Sequence, residues 1–111
     1  MSDLATESLE NSKATAKKLL IEQIENLLPQ LPGWVVKNVD SVERVEKIYK
    51  FKDFSAALAF TNEIGALAEK EDHHPALLTE WGQVTVTWWS HGLGGVHRND
   101  LIMAARTERL S

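Results

Sequence analysis

From about Ser12, the residues Ala16, Leu20, Ile24, Leu27 and Leu28 recur at helical spacing, with Lys17, Lys18, Glu22, Glu25 and Asn26 on the other faces. That pattern predicts a first amphipathic helix. Pro29 stops it, and Pro32-Gly33 turns the chain into Trp34, Val35 and Val36, whose aromatic and β-branched side chains favour a strand. A polar link, Asn38 to Glu43, leads to a second strand over Arg44 to Phe51. There Val45, Ile48 and Tyr49 interleave with Arg44, Glu46, Lys47 and Lys50, as in a half-exposed hairpin. Asp53 then caps a helix whose inner face is Phe54, Ala57, Leu58, Thr61, Ile64 and Ala68, widened by Phe60 and Leu67. Gly65 inside that helix costs about 1 kcal/mol against alanine, which points to a close approach by another helix or a ligand. Pro75 ends the element by barring helical geometry at His74.

Beyond Pro75, Leu77 to Trp81 reads as a third strand, Gly82-Gln83 as a turn, and Val84 to Ser90 as a fourth strand of strict alternation. Val84, Val86 and Trp88 point one way. Gln83, Thr85, Thr87, Trp89 and His91 point the other, so His91 closes the strand on its polar face. Gly92, Gly94 and Gly95 form a loop, and a last helix starts near Asn99 or Asp100 and runs through Leu101, Ile102, Ala105 and Arg106. The order α-β-β-α-β-β-α, two hairpins joined by a helix, predicts an α+β fold. Its four-stranded antiparallel sheet has helices packed on one face and leaves the other for a partner.

At 111 residues, 43% hydrophobic and 25% charged, the chain has the size and composition of one folded domain. Its start, MSDLATESLENSK, is acidic and polar, so residues 1–12 are expected to form a flexible tail and residues 13–111 the domain. Twelve Lys+Arg against 16 Asp+Glu, a formal charge of -4, provide no basic field for a phosphate backbone, and direct nucleic-acid binding is not expected. The absence of cysteine excludes disulfides, thiolate metal sites and a cysteine nucleophile, and suits a reducing compartment. With no apolar signal region or membrane-spanning stretch visible, a cytoplasmic protein without a membrane partner is expected.

The candidate chemistry lies where a hairpin returns on itself. His73, His74 and His91 sit at element ends that the second hairpin brings together, near Glu69, Asp72 and Asp100. An imidazole titrates near neutral pH, so a pair of histidines supplies both a proton donor and an acceptor. Glu69 precedes His73 by four residues, and a helix extending that far would place the carboxylate where it orients that ring. Taken singly, His73 is equally an ordinary helix-end histidine. Histidines and carboxylates are also zinc-ligand types, but the side chains of an extended His-His pair diverge, and no metal is expected. Trp88 belongs with the core. Trp89 fits an interface or a pocket wall, Trp81 a pocket or the core, and His97 a solvated loop.

The run Glu69-x3-His73-His74-Pro75-x5-Trp81-x9-His91-x8-Asp100 resembles the signature of the pterin-4a-carbinolamine dehydratase family, also known as dimerisation cofactors of a homeodomain transcription factor. FKDF at 51–54, Gly33-Trp34 and Ala68-Glu69-Lys70 extend the likeness over residues 15–110. Ahead of Asp100 the chain departs from the family's usual Ser or Thr cap and basic residue, carrying His97 and Asn99 instead. The resemblance implies dehydration of a 4a-hydroxytetrahydropterin to the quinonoid dihydropterin, without metal or cofactor, in the recycling that follows an aromatic amino acid hydroxylase. It implies His73 and His91 as the acid-base pair, His74 chiefly as a substrate contact, and Glu69, Trp81 and Asp100 as substrate-binding or orienting residues. It also implies a homodimer or homotetramer. Two alternatives stay open: a binding or assembly protein on the same fold, and an enzyme for another pterin such as a molybdopterin precursor.

Overall fold

The computed structural model describes residues 3–10 and 16–111. Its elements are α1 (Ile21–Leu27), β1 (Val35–Val39), β2 (Val42–Lys50), α2 (Phe54–Glu71), β3 (Ala76–Glu80), β4 (Gln83–Trp88) and α3 (Arg98–Leu110), with short 3-10 turns at Leu4–Thr6, Leu28–Gln30 and His91–Leu93. The four strands form one antiparallel sheet in the order β1-β2-β4-β3, an α+β architecture. No helix among the described residues is long and apolar enough to cross a membrane.

The first hairpin is tighter than the sequence suggests, and the turn of the second lies one residue earlier. The polar link Asn38 to Glu43 is itself mostly strand, pairing Asn38 with Glu43 and Val39 with Val42 around a two-residue turn. Asp40 and Ser41 make that turn with φ of 53° and 66°, the left-handed pair whose twist matches that of the strands. In the second hairpin β3 begins at Ala76 and ends at Glu80, so Trp81-Gly82, not Gly82-Gln83, is the turn.

Val45 and Tyr49 of β2 and Val84, Val86 and Trp88 of β4 share the covered face and are buried, with α2 and α3 lying over them. Burial of this set supplies the main driving force for folding. On α2, Asp53 caps the Ala56 N–H at 2.8 Å as expected, but the buried stripe is Ala57, Phe60, Ile64 and Ala68. Phe54 and Leu58, expected on it, are exposed. A side chain added at Gly65 would meet nothing within 4 Å, so nothing in the structure explains that glycine. α3 is covered nearly all round, from Asn99 to Ala105 and again at Thr107, because the sheet lies on one side and the N-terminal segment on the other.

That segment corrects the expectation of a flexible tail. Within residues 3–10, Leu4 and Ala5 are buried against α3. Arg109 pairs with Asp3, Arg106 donates to the Ala5 and Glu7 carbonyls, and Arg98 makes a two-pronged bridge to Glu7. The first helix is also shorter than expected. Of the stretch from Ser12, residues 12–15 lie outside the described residues and 16–20 form neither helix nor strand. The Leu19 N–H bonds to the Val96 carbonyl at 2.6 Å, and α1 starts after Leu20, whose N–H the Gln23 side chain accepts.

At the other end of α3, one Glu108 oxygen accepts from Lys47 at 2.6 Å, Trp34 Nε1 at 3.1 Å and the Tyr49 hydroxyl. Burial opposes ionisation of Glu108, but the donors and the Lys47 charge outweigh it and hold the carboxyl below its ordinary value. Burial, then the Glu108 carboxylate, pushes the Tyr49 phenol up.

Candidate active site

The end of α2, the turn after β4 and the start of α3 meet at the end of the sheet where β3 begins and β4 ends. α2 finishes at Glu71, and Asp72 takes φ of 50°, the left-handed position usually given to glycine. The N–H groups of Asp72 and His73 return to the Glu69 and Ala68 carbonyls, closing a Schellman-type cap. This reversal sends the two histidines in different directions. His73 turns inward, its Nε2 2.6 Å from Asp100 Oδ1 and its ring stacked on Trp88 at 5.8 Å and 13°. His74 stays exposed and pairs with Glu69 at 2.5 Å. The expected Glu69–His73 contact is therefore not made; the turn at Asp72 carries His73 off the helix face and gives His74 that partner.

Asp100 is fully buried, and three donors compensate its charge: His73 Nε2, Ser90 Oγ at 2.8 Å and the His97 backbone N–H at 2.9 Å. The carboxylate fixes the His73 ring and commits Nε2 to this bond, leaving Nδ1 as the nitrogen for proton exchange. His91 opens the 3-10 turn after β4 instead of closing the strand; it is exposed, and its ring lies over Trp89 with centroids 4.3 Å apart. The Arg44 guanidinium sits 4.0 Å from the centre of the same indole. Trp89 is thus packed against both the His91 ring and the Arg44 guanidinium.

Beside them lies an open cavity of about 480 Å³, lined among others by Asp72, His73, His74, Trp89, His91 and His97. That volume suits a small bicyclic ligand. Trp89 is thus a pocket wall, and Trp88 is core. Trp81 is neither. It is 70% exposed at the far turn of the second hairpin, about 17 Å away along five strand residues. Glu69 lies beside His74 and is not among the lining residues. Among the described residues no group of three or more His, Asp or Glu is arranged to hold a metal ion.

The sequence reading missed His97. Far from being a solvated loop residue, it is 5% exposed and is the N-cap of α3, ahead of the expected Asn99 or Asp100. Its Nδ1 accepts the Asn99 N–H at 2.9 Å, and Asp100 accepts the His97 N–H in return. This is a capping box with histidine in the place of serine or threonine. The signal was present in the spacing His97-x2-Asp100.

The sequence model described as pterin 4 alpha carbinolamine dehydratase matches residues 17–110. The chain belongs to that family. It is 50% identical over 110 residues to a Nitrosococcus oceani protein provisionally named a pterin-4-alpha-carbinolamine dehydratase, covering 99% of this chain and 97% of that one. A Microcystis aeruginosa protein of the same provisional name is 47% identical over 108 residues, covering 97% and 93%. The crystal structure of a transcriptional coactivator/pterin dehydratase from Brucella melitensis superposes with a TM-score of 0.76 at 34% identity, over 85% of this chain and 98% of that one. A pterin dehydratase-like RuBisCO assembly factor of the alpha-carboxysome shares the fold, with a TM-score of 0.58 at 23% identity, over 70% and 88%.

Proposed function

We propose that the chain dehydrates a 4a-hydroxytetrahydropterin, in the cytoplasm, after an aromatic amino acid hydroxylase has used its cofactor. The observation that carries the reading is the convergence of His73, His74 and His91 on one cavity, with a buried carboxylate behind His73. In the reaction the N5 lone pair forms the C4a=N5 bond as the C4a–O bond breaks. An acid protonates the departing oxygen, which leaves as water, and a base takes the N5 proton. In this reading His73 and His91 exchange those protons. Trp89 offers a flat wall for the bicyclic ring, and His74, Asp72 and Asn99 offer polar groups for its edge.

A scaffold acting through its surface has no physical need for His73, His74 and His91 together on one cavity. This supports the enzyme over the assembly protein. The test is a titration of the purified protein with a reduced pterin, followed by indole fluorescence. Saturable quenching lost in Trp89→Phe supports the reading. Absence of any pterin binding overturns it.

The proposal extends to assembly as a homodimer or homotetramer. On the uncovered sheet face Val35, Ile48 and Leu78 are 46%, 49% and 58% exposed, an apolar surface that suits a partner. Light scattering should give at least twice the 12.5 kDa chain mass. A stable monomer with full activity would remove this part of the reading.

A further inference from the structure

Resting on the dehydratase reading, we propose that Glu10 and His97 form a positioning pair that couples the N-terminal segment to the acid-base centre through Asp100. His97 Nδ1 accepts the Asn99 N–H and so carries no proton, which places the proton of the neutral ring on Nε2. That nitrogen lies 3.2 Å from the Glu10 carboxylate, to which it donates. Glu10 is held in turn by its main chain. Its N–H donates to Asn99 Oδ1 at 2.9 Å and its carbonyl accepts from Asn99 Nδ2 at 2.8 Å, a reciprocal pair that fixes the amide orientation.

The consequence runs inward. Glu10 selects the only His97 tautomer that caps α3, and the capped His97 gives its own N–H to Asp100 Oδ2 at 2.9 Å. The other Asp100 oxygen holds His73 Nε2 at 2.6 Å. Without Glu10 the His97 proton is free to move to Nδ1, where it opposes the Asn99 N–H and loosens the turn that aims Asp100. A serine or threonine cap has no tautomer to select, so the dependence on Glu10 follows from the histidine. Both residues act through others and make no claim on the reacting atoms.

The experiment is a double-mutant cycle over Glu10→Ala and His97→Ser. Turnover of 4a-hydroxytetrahydropterin is read beside ring-nitrogen NMR of His97 and His73 in the resting protein. Glu10→Ala should lower kcat about fivefold, the rate equivalent of one net hydrogen bond, with KM little changed. On the His97→Ser background the same substitution should have no further effect. Glu10→Gln, which keeps an acceptor, should recover most of the loss and serves if the alanine variant folds poorly. NMR should show His97 protonated at Nε2 alone in the unaltered chain, mixed tautomers in Glu10→Ala, and displaced His73 signals. Equal losses on both backgrounds, or unmoved His73 signals, would overturn the pairing. If the unaltered chain shows no turnover, the dehydratase reading fails while the NMR comparison still decides the link.

Discussion

His73 Nε2 lies 2.6 Å from Oδ1 of Asp100, a carboxylate whose side chain has no exposed surface. The histidine is thereby gripped by a buried carboxylate and lines the cavity, while Trp88 supports its ring from the core. The same Asp100 ends a capping box, so the start of α3 and the aim of His73 are set by one group.

Replacing Asp100 with asparagine removes one acceptor and turns an amide N–H toward a donor. Asp100→Asn should lower kcat about 10²-fold and stability by about 1–3 kcal/mol. Turnover and urea unfolding on the same preparation check both. A variant with lost stability and full turnover would assign Asp100 to the fold alone.

His73→Ala and His91→Ala should each lower kcat by about 10²-fold or more, the scale for losing a general acid or base. His74→Ala, truncating an exposed side chain already paired with Glu69, should act mainly on KM. Steady-state kinetics on folded variants separate the two effects.

Leu4→Ala should destabilise by about 2–4 kcal/mol, because Leu4 is 1% exposed against the core. A flexible tail would make the substitution neutral. Denaturant unfolding distinguishes the outcomes.

Glu108 and Glu7 have carboxyls held below the ordinary 4.5. For Glu108 the donors and the Lys47 charge outweigh burial, and for Glu7 the Arg98 hydrogen bond dominates. A lowered folded-state value contributes stability above the unfolded value, and that contribution disappears as pH falls through the folded one. The gap in unfolding free energy between the unaltered chain and Glu108→Gln should therefore be full at neutral pH and close progressively below about pH 4.5. Urea unfolding across that range measures it. A gap independent of pH would place the cost in packing.

The hairpins, α2 and the meeting of the three histidines were legible because alternation, the Asp53 cap and Pro75 are local signals. What escaped depended on tertiary context. Leu4 and Leu9 sit too sparsely in an acidic run to show a period, and only the folded core gives them a surface to pack against. Glu69 went to the wrong histidine because the left-handed turn at Asp72 is invisible in helical spacing. Trp81 occupies its place in the signature yet sits at the far turn, so spacing along the chain did not translate into nearness. His97 was passed over because histidine is not a usual cap, although the following residues have the capping-box form.

The most direct measurement is single-turnover stopped-flow of 4a-hydroxytetrahydropterin loss, with the unaltered chain and His73→Ala side by side. The account predicts rapid conversion to quinonoid dihydropterin by the unaltered chain and a rate lower by about 10²-fold or more in the variant. Conversion no faster than in buffer, or equal rates for the two proteins, would contradict it.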